Sequence, residues 1–258
     1  MKLIRTEKWI DKDPDPLAVC KFLEPYFKGH SADAIYDHLV RHGMYRDSKK
    51  AVSAIRRFKD NDTWSSINQE ALKLKEKWKG PDLPIFILPA DEDNRILGET
   101  LKGRSGIAFK DKLLLFISPY TKNEDLHTLL THEYHHAVRL NKLNIEEHKF
   151  TLLDSIIMEG LAENAVRELY GEEQTAFWTS LYSDIEIRRI WRNFIRPNLQ
   201  IPKTEPKHHR LLHGHGKLPK MAGYCCGYLL VKQFMEKQKV KSVKLFHLPS
   251  SDFLNDIK

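Results

Sequence analysis

No part of this chain restricts its folding choices as tightly as the stretch 121–143. It is proline-free and amphipathic, and it contains His132-Glu133-Tyr134-His135-His136. Thr121 and Glu124 stand in the T-x-x-E spacing of a capping box, which predicts a helix start. The pattern predicts a helix over about 122–143. On a helix, residues four apart sit one turn apart on the same face. His132 and His136 can then reach a single metal ion. Glu133 lies about 100° around the helix from His132, which suits a base acting on a metal-bound water. Zinc lowers the pKa of such a water toward ~7, within reach of a carboxylate at neutral pH. His135 offers an alternative ligand at i,i+3. His136 is preferred, because Glu133 then lies between the two ligands in sequence. Tyr134 reads as packing.

A catalytic zinc takes three protein ligands and keeps one position open. The run Ile156-Ile157-Met158-Glu159-Gly160-Leu161-Ala162-Glu163 supplies Glu159, on a second helix expected over about 152–170 and stopped at Gly171. A turn and a returning helix bring Glu159 back to the histidines. Two histidines and a glutamate favour Zn2+ among divalent ions. Glu163, one turn later, is placed to hydrogen-bond a ligating histidine. Gly160 costs about 1 kcal/mol against alanine inside a helix. A close approach of the two helices at the metal would account for it.

The rest of the chain frames these helices. Residues 1–80 read as helical, with apolar positions Leu17, Val19, Phe22, Leu23 and Phe27 at roughly helical spacing. Gly80-Pro81 marks a boundary, so residues 81–258 form the expected metal-bearing domain. Pro84 to Leu88 is a short apolar run rich in strand formers. Gly106 to Phe109 and Leu113 to Ser118 flank a charged turn and read as a β-hairpin. Further helices are expected over about 174–194 and 223–237. The fold class is α+β, mostly helical, with a small antiparallel sheet beside the H-E-x-x-H helix. His208, His209, His213 and His215 lie among glycines and read as a loop at the rim of the site.

Composition narrows the setting. The chain has 42 Lys and Arg against 35 Asp and Glu, a formal net charge of +7. Arg188, Arg189, Arg192 and Arg196 come nearest to a basic tract, so nucleic acid is an alternative partner. No aromatic–basic repeat supports it. Cys20, Cys225 and Cys226 are too few for a disulfide framework and fit a reducing compartment. Cys225 and Cys226 read as small buried residues. The N-terminus has no apolar signal core, and no run is long enough for membrane insertion. A cytoplasmic protein is expected.

With these motifs in hand, the chain resembles the gluzincin metallopeptidases. Within them it is similar to an uncharacterised bacterial family of predicted zinc-dependent proteases, a domain of unknown function. The similarity rests on RTEKWI near the N-terminus, the hairpin, HEYHH, EGLAE and the late GYCCGY. It implies a peptide or protein substrate and Zn2+ as cofactor. It implies an edge strand before the zinc helix, Gly106 to Phe109 or Leu113 to Ser118, that binds extended peptide. Gly106 and Ala108 are small enough to admit a peptide backbone. It also implies a late oxyanion donor, for which Tyr224 is the first choice, with Tyr228 one turn further on. A metal-binding or regulatory protein without activity is the other alternative. Retention of Glu133 argues against it, since a structural site needs no base.

Overall fold

The computed structural model describes residues 1–94, 103–143 and 145–256. The chain divides into two compact units, Met1–Ala137 and Val138–Lys258, and the division falls within a long helix.

The first unit begins with a short strand, β1 (Lys2–Leu3). Five helices follow: α1 (Glu7–Lys12), α2 (Pro16–Leu23), α3 (Ala32–Arg41), α4 (Ser48–Asp60) and α5 (Thr63–Trp78). Local chemistry sets their starts. The Asp15 carboxylate accepts from the N–H groups of Leu17 and Ala18, and Asp47 does the same for Lys49 and Lys50. Such caps satisfy helix donors that have no intrahelical acceptor.

Three more strands, β2 (Pro84–Pro89), β3 (Arg104–Ala108) and β4 (Leu113–Ile117), complete a four-stranded sheet of order β1-β2-β4-β3. The sheet is mixed, which corrects the antiparallel expectation. β1 runs parallel to β2, and β2 parallel to β4, with Ile85 opposite Leu113; only β3 and β4 are antiparallel, with Gly106 opposite Leu115. Parallel neighbours need a crossover between them, and five helices separate β1 from β2. Phe86, Leu88 and every residue of β4 are buried. Such unbroken apolar runs mark strands covered on both faces, the usual setting of parallel pairs. Because β4 is paired on both sides, it is not an edge. The Leu113–Ser118 alternative for a peptide-binding edge therefore falls away, and among the described residues β3 is an edge strand.

Helix α6 (Asn123–Leu143) begins one residue later than the sequence predicts. The expected Thr121 cap is not made: its hydroxyl is buried without a hydrogen-bond partner. The chain enters α6 through a turn in which the Thr121 N–H donates to the Ser118 carbonyl. Leu126, Leu130, Tyr134 and Ala137 form its buried stripe.

The second unit is helical: α7 (Leu152–Tyr170), α8 (Asp184–Ile190), α9 (Pro206–His213) and α10 (Ala222–Gln238). A full capping box between Thr151 and Asp154 starts α7. The helix expected over 174–194 is broken. A second capping box, Ser183 with Glu186, restarts the chain at α8, which runs on into a single π turn at Trp191–Ile195. The core packs α7 and α10 around Ile156, Ile157, Leu161, Cys225, Leu229 and Leu230.

Candidate metal centre

Helix geometry brings the two predicted histidines together. The rings of His132 and His136 lie 4.6 Å apart between centroids. Their neighbours in the motif face elsewhere. His135 is fully buried and packs edge-on against Trp78, with centroids 5.4 Å apart. Tyr134 stacks on the same indole and donates its hydroxyl to the Pro81 carbonyl at 2.9 Å. These two side chains anchor α6 within its unit and leave the histidine pair on another face.

Glu159, on α7, completes a cluster. His132, His136 and Glu159 each offer one ligand atom, and these atoms all lie within 4.8 Å of one another. A tetrahedral zinc with bonds near 2.0–2.2 Å holds its donors roughly 3.3–3.6 Å apart. Modest side-chain adjustment meets that spacing. Two imidazoles and one carboxylate also match zinc's preference for nitrogen and oxygen donors with a position left open.

Glu133 is buried, 8% exposed, beneath strand β3. The Arg104 guanidinium on β3 pairs with the Asp125 carboxylate near the start of α6. Glu133 thus sits next in sequence to His132 as a carboxylate largely screened from bulk water.

The second unit places several other candidates. Glu163 is buried and accepts a hydrogen bond from the Ala176 N–H, tying α7 to the turn at Phe177–Ser180. Tyr224, at the start of α10, is half-buried between two rings. It sits 5.2 Å from Trp178 in an edge-on arrangement and 5.3 Å from His213. Tyr228 is buried, and its hydroxyl lies 3.4 Å from Glu172 Oε1. Burial, with the Glu172 charge in second place, raises its phenol further above the usual range. Cys225 and Cys226 are buried and their thiols face the carbonyls of Trp178 and Ile187.

The histidine-rich stretch is a correction. His208, His209 and His213 belong to helix α9, and His215 follows its left-handed Gly214 cap. Flanking glycines suggest a loop, but Pro206 at the first helical turn and the buried pair Leu211-Leu212 are helix signals. His208 is a structural residue: it is buried, and its Nε2 lies 2.9 Å from the Ser155 hydroxyl. His213 is the neighbour that sequence reasoning left vague. Burial and then the His209 ring push its pKa down to about 4, against an opposing pull from the Glu159 carboxylate. His213 is thus a neutral imidazole at pH 7, in ring contact with Tyr224.

Among the described residues, no helix is long and apolar enough to cross a membrane. No solved structure matches the chain. It is 36% identical to the Uncharacterized protein YjaZ of Bacillus subtilis (strain 168) over 258 residues, covering 99% of each chain. It is 27% identical to the Uncharacterized protein YjfC of the same organism over 137 residues, 49% of this chain and 45% of that relative. Residues 63–255, which hold α6, α7 and α10, match the family described as "Predicted Zn-dependent protease (DUF2268)". A match of that extent, together with the full-length relative, makes the chain a member of this family.

Proposed function

We propose that this protein is a zinc-dependent peptidase, with His132, His136 and Glu159 as metal ligands and Glu133 as general base. The observation that carries the reading is that one ligand atom from each of His132, His136 and Glu159 lies within 4.8 Å of the others, with the two histidines on the helix that also bears Glu133. Zinc bound there would activate a water and polarise the scissile carbonyl.

The chain's own groups account for the remaining work. Glu133 takes a proton from the attacking water and passes it to the leaving amine. Tyr224 donates a hydrogen bond to the oxyanion, an interaction that strengthens only as charge develops. Strand β3 holds the peptide. The Ser118 N–H donates to the Gly103 carbonyl and the Phe109 N–H to the Lys112 carbonyl. By antiparallel alternation, the backbone groups of Arg104, Gly106 and Ala108 turn away from β4 toward the edge that has no partner strand among the described residues. An extended peptide can add there as a further strand. Every residue in this scheme lies within 81–258, the segment assigned from the sequence to the metal-bearing domain.

The test is elemental analysis of the purified wild-type chain beside Glu159→Ala and Glu133→Gln. About one zinc per wild-type chain is expected, with a sharp fall in Glu159→Ala. Glu133→Gln should keep its zinc and lose peptide hydrolysis by about 10²-fold or more. A wild-type chain that takes up no metal when zinc is supplied overturns the reading. A metal-loaded chain that cleaves no member of a peptide library overturns the peptidase step while leaving the metal site.

A further inference from the structure

The edge strand β3 meets the catalytic helix at one residue without a side chain. A Cβ built on Gly106 would stand 2.6 Å from Cδ and 2.7 Å from Oε1 of Glu133, and closer still to its Cγ. Ordinary van der Waals contact at such a position begins at 3.4 Å. Three consecutive atoms of the glutamate side chain therefore occupy the volume that any other residue at 106 would fill. Ile107 and Ser105, its neighbours along the strand, direct their side chains to the opposite face.

We infer that Gly106 is a positioning residue for Glu133: its missing side chain is the slot that holds the carboxylate. This rests on the reading of Glu133 as general base. Room for a substrate backbone, the first explanation for a small residue here, concerns the in-plane edge of the strand. The slot concerns the face of the sheet, and a peptide added to the edge would leave it unchanged. Glu133 is buried, so it cannot swing freely into solvent to escape an added methyl. Restoring normal contact distances requires the carboxylate to move by about 1 Å, and a displacement of that size can cost about 10²-fold in rate.

The experiment places Gly106→Ala in three backgrounds: Glu133, Glu133→Asp and Glu133→Ala. Each chain is assayed for melting temperature without metal, for zinc content, and for kcat and KM on a peptide that the wild type cleaves. With Glu133 present, Gly106→Ala should lower kcat by about 10²-fold with little change in KM and with zinc content intact. It should lower the metal-free melting temperature by several degrees with Glu133 and by much less with Glu133→Ala, where the colliding atoms are gone. Glu133→Asp keeps an atom at the nearest position, Cγ, and reaches one atom less far, so there the added alanine should lower the metal-free melting temperature by an amount between those of the other two backgrounds. Equal losses in all three backgrounds overturn the inference and return Gly106 to a backbone role. So does an alanine that unfolds the chain with and without the Glu133 side chain. If the wild type binds no zinc, the metal reading fails, whereas the metal-free melting cycle still judges the contact by itself.

Discussion

Gly160 on α7 lies directly against Gly227 on α10. A Cβ on Gly160 would land on the Gly227 carbonyl and 3.0 Å from the Tyr228 nitrogen, while one on Gly227 would overlap the Ile156 carbonyl group. The same crossing is sealed by Asn164, whose Nδ2 donates to the carbonyls of Gly160 at 2.8 Å and Tyr228 at 3.0 Å. The tolerance of glycine inside α7 thus comes from α10, whereas the sequence reading attributed it to the metal-bearing helix pair.

Gly227→Ala should destabilise the protein by about 1–3 kcal/mol, the usual range for overpacking a well-filled contact. Gly160→Ala should do the same and also weaken zinc retention, because it displaces the turn of α7 that carries Glu159. Urea denaturation and metal content check both. Unchanged stability in either variant would mean that the two helices separate at little cost.

Arg139 is 1% exposed, and its guanidinium donates to the carbonyls of Leu245, Phe246 and Leu248. Burial, partly offset by Asp154, pushes its pKa down to about 10, so it stays charged at neutral pH. Arg139→Met should leave three carbonyls without these donors and cost about 2–5 kcal/mol. Hydrogen exchange in the segment 245–248 should rise with it. A variant as protected there as the wild type would count against the clasp.

Burial lowers the pKa of His208 below its ordinary 6.5, the largest of several causes. As pH falls through that value, the unfolded chain takes up the proton before the folded one does. Stability is therefore full above 6.5 and declines on acidification. In His208→Gln, which removes the titration and keeps a polar group facing Ser155, the drop in melting temperature between about pH 7.5 and 5.5 should be smaller. An equal drop would place the acid sensitivity elsewhere.

All three cysteines are buried. Desolvation pushes the thiols of Cys20 and Cys225 up to about 12, and Cys226 is raised as well. Native protein should show no fast reaction with a disulfide reagent, because the thiolate is the reactive form. In denaturant all three should react. A rapidly titrating thiol in the native state would contradict the packing around α2 or α10.

Tyr224→Phe should lower kcat by about 10–10²-fold with KM nearly unchanged, as expected for a donor that acts on the oxyanion. His213→Asn serves as the comparison, since the two rings are neighbours. If His213→Asn lowers kcat and Tyr224→Phe does not, the donor is the imidazole and the phenol is its support.

The helices around the candidate metal site were legible because their signals are local. Spacing alone puts His132 and His136 on one face, and Gly171 ends α7 where the sequence indicates. Pairing of distant strands is not local. The runs 84–88 and 113–117 read as strands, yet whether they align parallel or antiparallel depends on the path of the chain between them, 90–112, which no local pattern encodes. The helix expected over 174–194 hid a competing signal: Ser183 with Glu186 restarts the chain, and only the folded backbone shows that the cap prevails. At Thr121 the reverse holds, since a matching capping pattern goes unused. The glycines of GYCCGY were visible, but their function as a contact stripe appears only when α7 is laid across them. The role of Gly106 was equally hidden, because the atoms it avoids come from a residue 27 positions away.

The edge of β3, which has no partner strand among the described residues, also bears on how the protein avoids pairing with itself. An uncovered strand is a template for a second copy, and many proteins block such edges with proline or a bulge. On the proposed function, β3 receives a peptide and cannot be closed in that way. Here the edge is five residues long, its Arg104 is tied down by Asp125, and its far end turns at once into Lys110-Asp111-Lys112. Shortness and charge at both ends therefore limit self-association without a block along the middle of the strand.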